Sequence, residues 1–151
     1  MDDVPWLDTA ERRIWLALLA TTARLDDVLD RRLQQDAGMP LAYYQLLAML
    51  SEAPGRSMRM SELAGITQSS QSRISHAVKR LESRRWVLRR PCPDDRRSTF
   101  AELTDAGYAA LAAAAPGHVR AVREHLFDAL TADQVGQLGE ILAAIRGRLP
   151  D

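Results

Sequence analysis

Residues 58–104, MRMSELAGITQSSQSRISHAVKRLESRRWVLRRPCPDDRRSTFAELT, constrain this chain more than any other stretch. A short helical pattern, a turn and a longer helical pattern are followed by two strand-like runs around a charged tip. That succession predicts a winged helix-turn-helix, a fold whose second helix is shaped to enter a DNA major groove. Charge agrees with pattern. Residues 68–97 hold nine basic and three acidic side chains, a balance of +6, while each flank carries −3. A formal net charge of zero therefore hides a basic segment between acidic ones.

The flanks read as helix. At 151 residues one domain with a real core is expected. Aromatic residues are only 5% of the chain, and Ala and Leu dominate, which favours helices. No apolar run approaches the roughly 20 residues that cross a bilayer. The acidic start MDDVPWLDTAERR lacks the apolar core of a signal peptide. The single cysteine, Cys92, leaves no internal disulfide and fits a reducing cytoplasm. Among the basic residues Arg outnumbers Lys nineteen to one, a bias that base composition of the genome explains without special chemistry.

In order, Asp8 and Glu11 have capping-box spacing and open a long helix to about residue 35, ended by Gly38. Its apolar positions Ile14, Leu18, Leu25, Val28, Leu29 and Leu33 recur at steps of three and four. Such length predicts packing on more than its own chain. Pro40 is placed at the first position of a second helix, LAYYQLLAML. Residues 56–59 read as a short strand and 60–65 as a third helix, at whose start Arg59 stands where a capping acceptor is wanted. The fourth helix is expected over 69–84. Its apolar residues Ile74, Ala77, Val78 and Leu81 fall in one narrow arc, with Ser69, Ser72, His76, Lys79 and Ser83 opposite and Ser75 and Arg80 on the shoulders. Small hydroxyls let a helix approach base edges, and basic groups meet phosphates.

Trp86, Val87 and Leu88 continue as a strand, 98–103 return as its partner, and 91–97 form the wing loop between them. Thr104 caps a fifth helix running to about residue 130, with Pro116-Gly117 predicting a kink or break. Thr131 and Gln134 form another capping box and open a sixth helix to about residue 148. The expectation is a mainly α fold of six helices with a small β wing. Residues 1–38 and 105–151 would serve dimerisation and 39–104 DNA binding, all in one intertwined domain.

With SELA before the turn, RLESRRWV after the recognition helix and DDRRSTFAELTDAG through the wing, the chain resembles the MarR family of bacterial transcription regulators. The wing pattern is carried by Asp95, Arg97, Leu103, Thr104 and Gly107. The resemblance implies a homodimer whose first, fifth and sixth helices interlock, bound to double-stranded DNA at a pseudo-palindromic operator. It implies that Ser70, Gln71, Ser72, Ser75 and His76 read bases, that Lys79 and Arg80 hold phosphates, and that Arg73 belongs to the same DNA-contacting set. Arg96 would enter the minor groove, and Asp95 and Arg97 would form an ion pair that stiffens the wing.

Many members of that family release DNA when a small aromatic or phenolic ligand enters a cleft between the dimer core and the winged region. Candidates for its wall are Trp15, Leu19, Tyr43, Tyr44, Leu47, Tyr108 and His118, although aromatic residues at helical spacing are more often core. Peroxide-sensing members carry their cysteine in the first helix, where this chain has none. Cys92 reads as a surface wing thiol beside Arg89 and Arg90, with a redox role as the minority reading. Urate-responsive members place an acidic residue in the second helix, where Gln45 stands here. An enzyme finds little support. His76, His118 and His125 are scattered, no metal-ligand spacing or phosphate-binding loop is present, and no cofactor is expected. Repression of adjacent genes is the expected role, with a ligand-independent regulator and a module that has lost DNA binding as the alternatives.

Overall fold

The computed structural model describes residues 4–67, 69–95 and 97–150. Along the chain come α1 (Thr9–Ala37), α2 (Leu41–Glu52), β1 (Ser57–Arg59), α3 (Met60–Ile66), α4 (Gln71–Ser83), β2 (Val87–Pro91), β3 (Thr99–Leu103), α5 (Asp105–His125) and α6 (Ala132–Arg146). One-turn 3-10 segments at Pro54–Arg56 and Phe127–Ala129 join them. The mainly α architecture with a small β wing is the expected one. Two compact units are distinguished: residues 30–116, and a helical unit made of the chain up to Leu29 and from Gly117 onward.

The winged unit is held by local caps and a few distant ones. Gly38, at φ +60°, ends α1, its N–H donating to the Gln34 carbonyl at 3.0 Å. Pro40 is the N-cap of α2, one position earlier than expected, and has no side-chain acceptor to offer. Asp30 supplies it instead, Oδ1 accepting from the Leu41 N–H at 2.8 Å. Glu62 reaches back to the Arg59 N–H at 3.1 Å, so α3 is capped from its third residue although Arg59 contributes no acceptor. Ser70 caps α4, its Oγ accepting from the Arg73 N–H at 3.2 Å, which starts that helix at Gln71 rather than at 69.

β1, β3 and β2 form an antiparallel sheet in that order, with Val87 opposite Leu103 and Pro91 opposite Thr99. The core lies under it, built from Leu47, Leu50, Leu63, Val78, Leu81 and Val87, all fully buried. Each such side chain contributes roughly 1.5–3 kcal/mol by leaving water.

The turn from α4 into β2 is clamped against the start of α5. Thr104 Oγ1 donates to the Arg85 carbonyl at 2.7 Å and accepts from the Gly107 N–H at 2.9 Å, while the Thr104 N–H reaches the Trp86 carbonyl at 3.0 Å. A Cβ at residue 107 would lie 2.1 Å from the Trp86 carbonyl oxygen, so only glycine fits. That clamp is the physical content of the Leu-Thr and Gly pattern.

The helical unit opens on the expected capping box. The Asp8 N–H donates to Glu11 Oε2 and the Glu11 N–H to Asp8 Oδ1, both at 2.8 Å. Thr131 and Gln134 form the second box at the start of α6. α5 runs through Pro116 without the break that was one of the two expectations there: the ring removes one N–H donor, and the helix continues on both sides. The helix also ends at His125, short of residue 130, because Leu126 leaves the helical region at φ −128° and a 3-10 turn follows. Arg123 spans that turn to Asp128 at 3.2 Å. No helix among the described residues is long and apolar enough to cross a membrane.

Candidate nucleic-acid interface

α4 segregates its faces as the spacing requires. Ile74, Val78 and Leu81 are buried on α3 and the sheet, Leu63 and Ala64 of α3 meeting them from the other side. Gln71, Ser72, Arg73, His76, Lys79 and Arg80 are exposed, as is the capping Ser70, and Ser75 is half-buried. The structure thus brings eight of the DNA-contact candidates onto one helix and its cap. At 13 residues α4 is about 20 Å long, and one helix fits a major groove about 12 Å wide. Ser70 spends one hydroxyl lone pair on the helix cap.

The basic balance of the sequence is partly consumed by the fold. Arg84 donates Nη1 to the Gly38 carbonyl at 3.0 Å and lies over the Trp86 ring, 4.8 Å from its centroid. Arg89 pairs with Glu82 at 3.0 Å, and Arg90 with Glu102. Arg73, Lys79, Arg80 and Arg97 remain as exposed cations along α4 and the wing.

At the wing tip the Cys92 N–H donates to the Ser98 carbonyl at 2.9 Å, closing the loop. Asp95 organises it. Its carboxylate accepts from Ser98 Oγ at 2.6 Å and from the Arg97 N–H at 2.9 Å. Those two bonds, the serine one foremost, hold the exposed carboxyl below its ordinary pKa. The contact between Asp95 and Arg97 therefore runs through the Arg97 backbone, and Ser98 supplies the side-chain partner. The bond to the Arg97 N–H, two residues on, is an Asx-turn, which Asp in a loop signals, whereas the Ser98 hydroxyl partner has no such local signal. Arg96, the candidate minor-groove residue, lies outside the described residues.

Cys92 needs a correction. It is 4% exposed, not a surface thiol, because the closed wing loop turns it into the core. Its basic sequence neighbours Arg89 and Arg90 are both engaged with glutamates, which removes the electropositive, accessible setting a reactive thiol needs.

The ligand candidates divide between the two units. Leu47 is wholly buried core, and Tyr44 is half-buried, burial pushing its hydroxyl pKa up. The ring of Tyr108 is covered by the Arg56 guanidinium, 4.1 Å from its centroid, and Arg56 also pairs with Asp105 at 3.2 Å. Trp15 and Leu19 are exposed on α1 in the helical unit. His118, in the same unit on α5, is half-buried, and burial lowers its pKa. Tyr43 lines a sizeable groove of the winged unit, about 650 Å³, with Leu46, Ser72, Arg73, Ile74 and His76. Among the described residues no group of three or more His, Cys, Asp or Glu is placed to hold a metal.

Known proteins share this arrangement. Residues 37–98 match a family model described as "MarR family". A crystal structure of Sco3205, a MarR family transcriptional regulator from Streptomyces coelicolor, in complex with DNA, is 48% identical with a TM-score of 0.92, covering 100% of this chain and 95% of that one. AbsC, a MarR family transcriptional regulator of the same organism, is 36% identical with a TM-score of 0.85, covering 96% of this chain and 100% of that one. Transcriptional repressor MprA of Escherichia coli (strain K12) is 28% identical over 112 residues, 74% of this chain, and the match spans 63% of its length. On model match, identity and coverage together, the chain belongs to the MarR family of transcriptional regulators.

Proposed function

We propose that the chain is a homodimeric, DNA-binding transcriptional regulator that represses adjacent genes and is released by a small aromatic or phenolic ligand. The observation that carries the DNA-binding reading is the exposed face of α4, with small hydroxyls, an amide, an imidazole and three cations opposite a buried apolar face. Ser72, His76 and Gln71 would meet base edges, Arg73, Lys79 and Arg80 phosphates, and Arg96 a minor groove. The DNA complex of Sco3205 supports the reading by likeness. Such a protein works beside the chromosome, in the cytoplasm.

Homodimerisation is supported by the helical unit's exposed apolar side chains, Ile14, Trp15 and Leu19 on α1 and Ile141, Leu142 and Ile145 on α6. Two copies joined there would present two α4 helices to successive major grooves about one helical turn apart. Repression draws on the likeness to MprA. The ligand part rests on Tyr43 and its groove, whose wall shares Ser72, Arg73 and His76 with the proposed reading face, so an occupant and DNA would compete.

The test is fluorescence anisotropy over a salt series with a duplex from the chain's own upstream region. Arg96→Ala and His76→Ala are each expected to weaken binding. A lost base contact costs about 1–3 kcal/mol, whereas a lost phosphate contact mainly flattens the salt slope. Unchanged affinity in both variants overturns the reading. A screen of aromatic acids and phenols that releases no DNA leaves a ligand-independent regulator.

A further inference from the structure

We propose that Arg89 is a positioning residue that locks the wing to the recognition helix, fixing the angle at which the two reach DNA. The inference rests on the DNA-binding reading above. From the middle of β2, Arg89 donates Nη2 to the Ser75 carbonyl at 2.8 Å and pairs Nε with Glu82 at 3.0 Å. The two partners sit seven residues apart on α4, a rise of about 10 Å, so one guanidinium grips the helix at two heights. Its Nε is shielded from solvent and meets Glu82 as a close ion-pair contact rather than a hydrogen bond, and both ionic side chains are about a third exposed, at 31% for Arg89 and 32% for Glu82.

The chemistry suits this task. A guanidinium spreads its charge over a rigid planar fork, so it can donate to the Ser75 carbonyl while keeping its charge against Glu82, a geometry that an ammonium on a flexible stem does not fix. Ser75 belongs to the proposed base-reading set, and Ala101, opposite Arg89, lies centrally in the wing ladder. Rotation of α4 about its axis, or a swing of β2 away from it, breaks the Ser75 hydrogen bond or the Glu82 ion pair. Arg89 therefore adds to DNA affinity through geometry, although in the sequence it counts as one more positive charge.

That distinction sets a test of sign. Glu82→Gln removes a negative charge close to the proposed DNA surface, so simple electrostatics strengthens binding. The positioning role weakens it. The probe is a 30-base-pair duplex selected by the wild-type protein from a random-sequence library. Binding is measured by anisotropy over a salt series, with thermal melting as the folding control. Expected are losses on the order of tenfold for both Glu82→Gln and Arg89→Lys, with the salt slope unchanged and the double variant little worse than either single one.

Glu82→Gln binding as tightly as wild type, or tighter, overturns the proposal. So does a loss in Arg89→Lys that appears only as a shallower salt slope, the mark of a phosphate contact. If Arg89→Lys fails to fold, Glu82→Gln decides alone. A wild-type protein that selects no duplex fails the DNA-binding reading itself, and this proposal with it. Selection of a duplex to which all variants bind equally fails only the proposal.

Discussion

The two units of this molecule treat their apolar side chains in opposite ways. In the winged unit most large apolar residues of α2, α3, α4 and the sheet are buried or half-buried, and among the described residues Ile66, Leu88 and Tyr108 are its exposed large hydrophobic ones. In the helical unit α1, α5 and α6 leave many exposed, including Ile14 at 64%, Trp15 at 50% and Ile141 at 55%. The first unit completes a core from its own sequence. The second presents an apolar surface larger in residue count than any lone solvated helix needs, which is the physical ground for proposing a second copy there.

The largest test of that contrast is Leu50→Ala in the winged core. The cavity should cost about 2–5 kcal/mol in urea unfolding, with no change in self-association. A loss below that range would mean the winged core is looser than its burial implies. Next is Ile141→Asp in the helical unit. A carboxylate placed in an apolar interface without a partner costs several kcal/mol, so sedimentation should shift from dimer to monomer at micromolar concentration. A dimer that survives locates the contact elsewhere.

The smallest effect concerns His118. Burial holds its folded pKa below the ordinary 6.5, so the unfolded chain binds more protons between those two values. Stability is therefore full above about pH 6.5 and declines as pH falls through the window below it. Melting temperatures from pH 7.5 down to 5.5 should drop less in His118→Gln than in wild type. Parallel curves would show that another group carries the acid sensitivity.

Much of the fold was legible in advance because its signals are local. The periodicity of Ile74, Val78 and Leu81 predicts the buried face of α4, and the Asp8–Glu11 and Thr131–Gln134 spacings predict caps that form as expected. What escaped was non-local. No spacing reveals that Asp30 caps α2 from eleven residues away, or that Arg84 closes on Gly38 across 46. Pro116 shows the reverse case, where a local breaker does not interrupt the helix on either side of it.

The opening basic segment illustrates where sequence stops. Residues 58–104 by themselves determine the order helix, turn, helix and wing, since side-chain period, glycine sterics and turn chemistry act over a few residues. They also determine that positive charge gathers there. Which cations face outward was decided only when strand β2 came to rest on α4. That packing turned Arg89 to Glu82 and Ser75, and pairing across the sheet turned Arg90 to Glu102. Closure of the wing carried Cys92 inside. Charge can be counted along a chain, but its direction depends on partners that only the tertiary structure brings within hydrogen-bond reach.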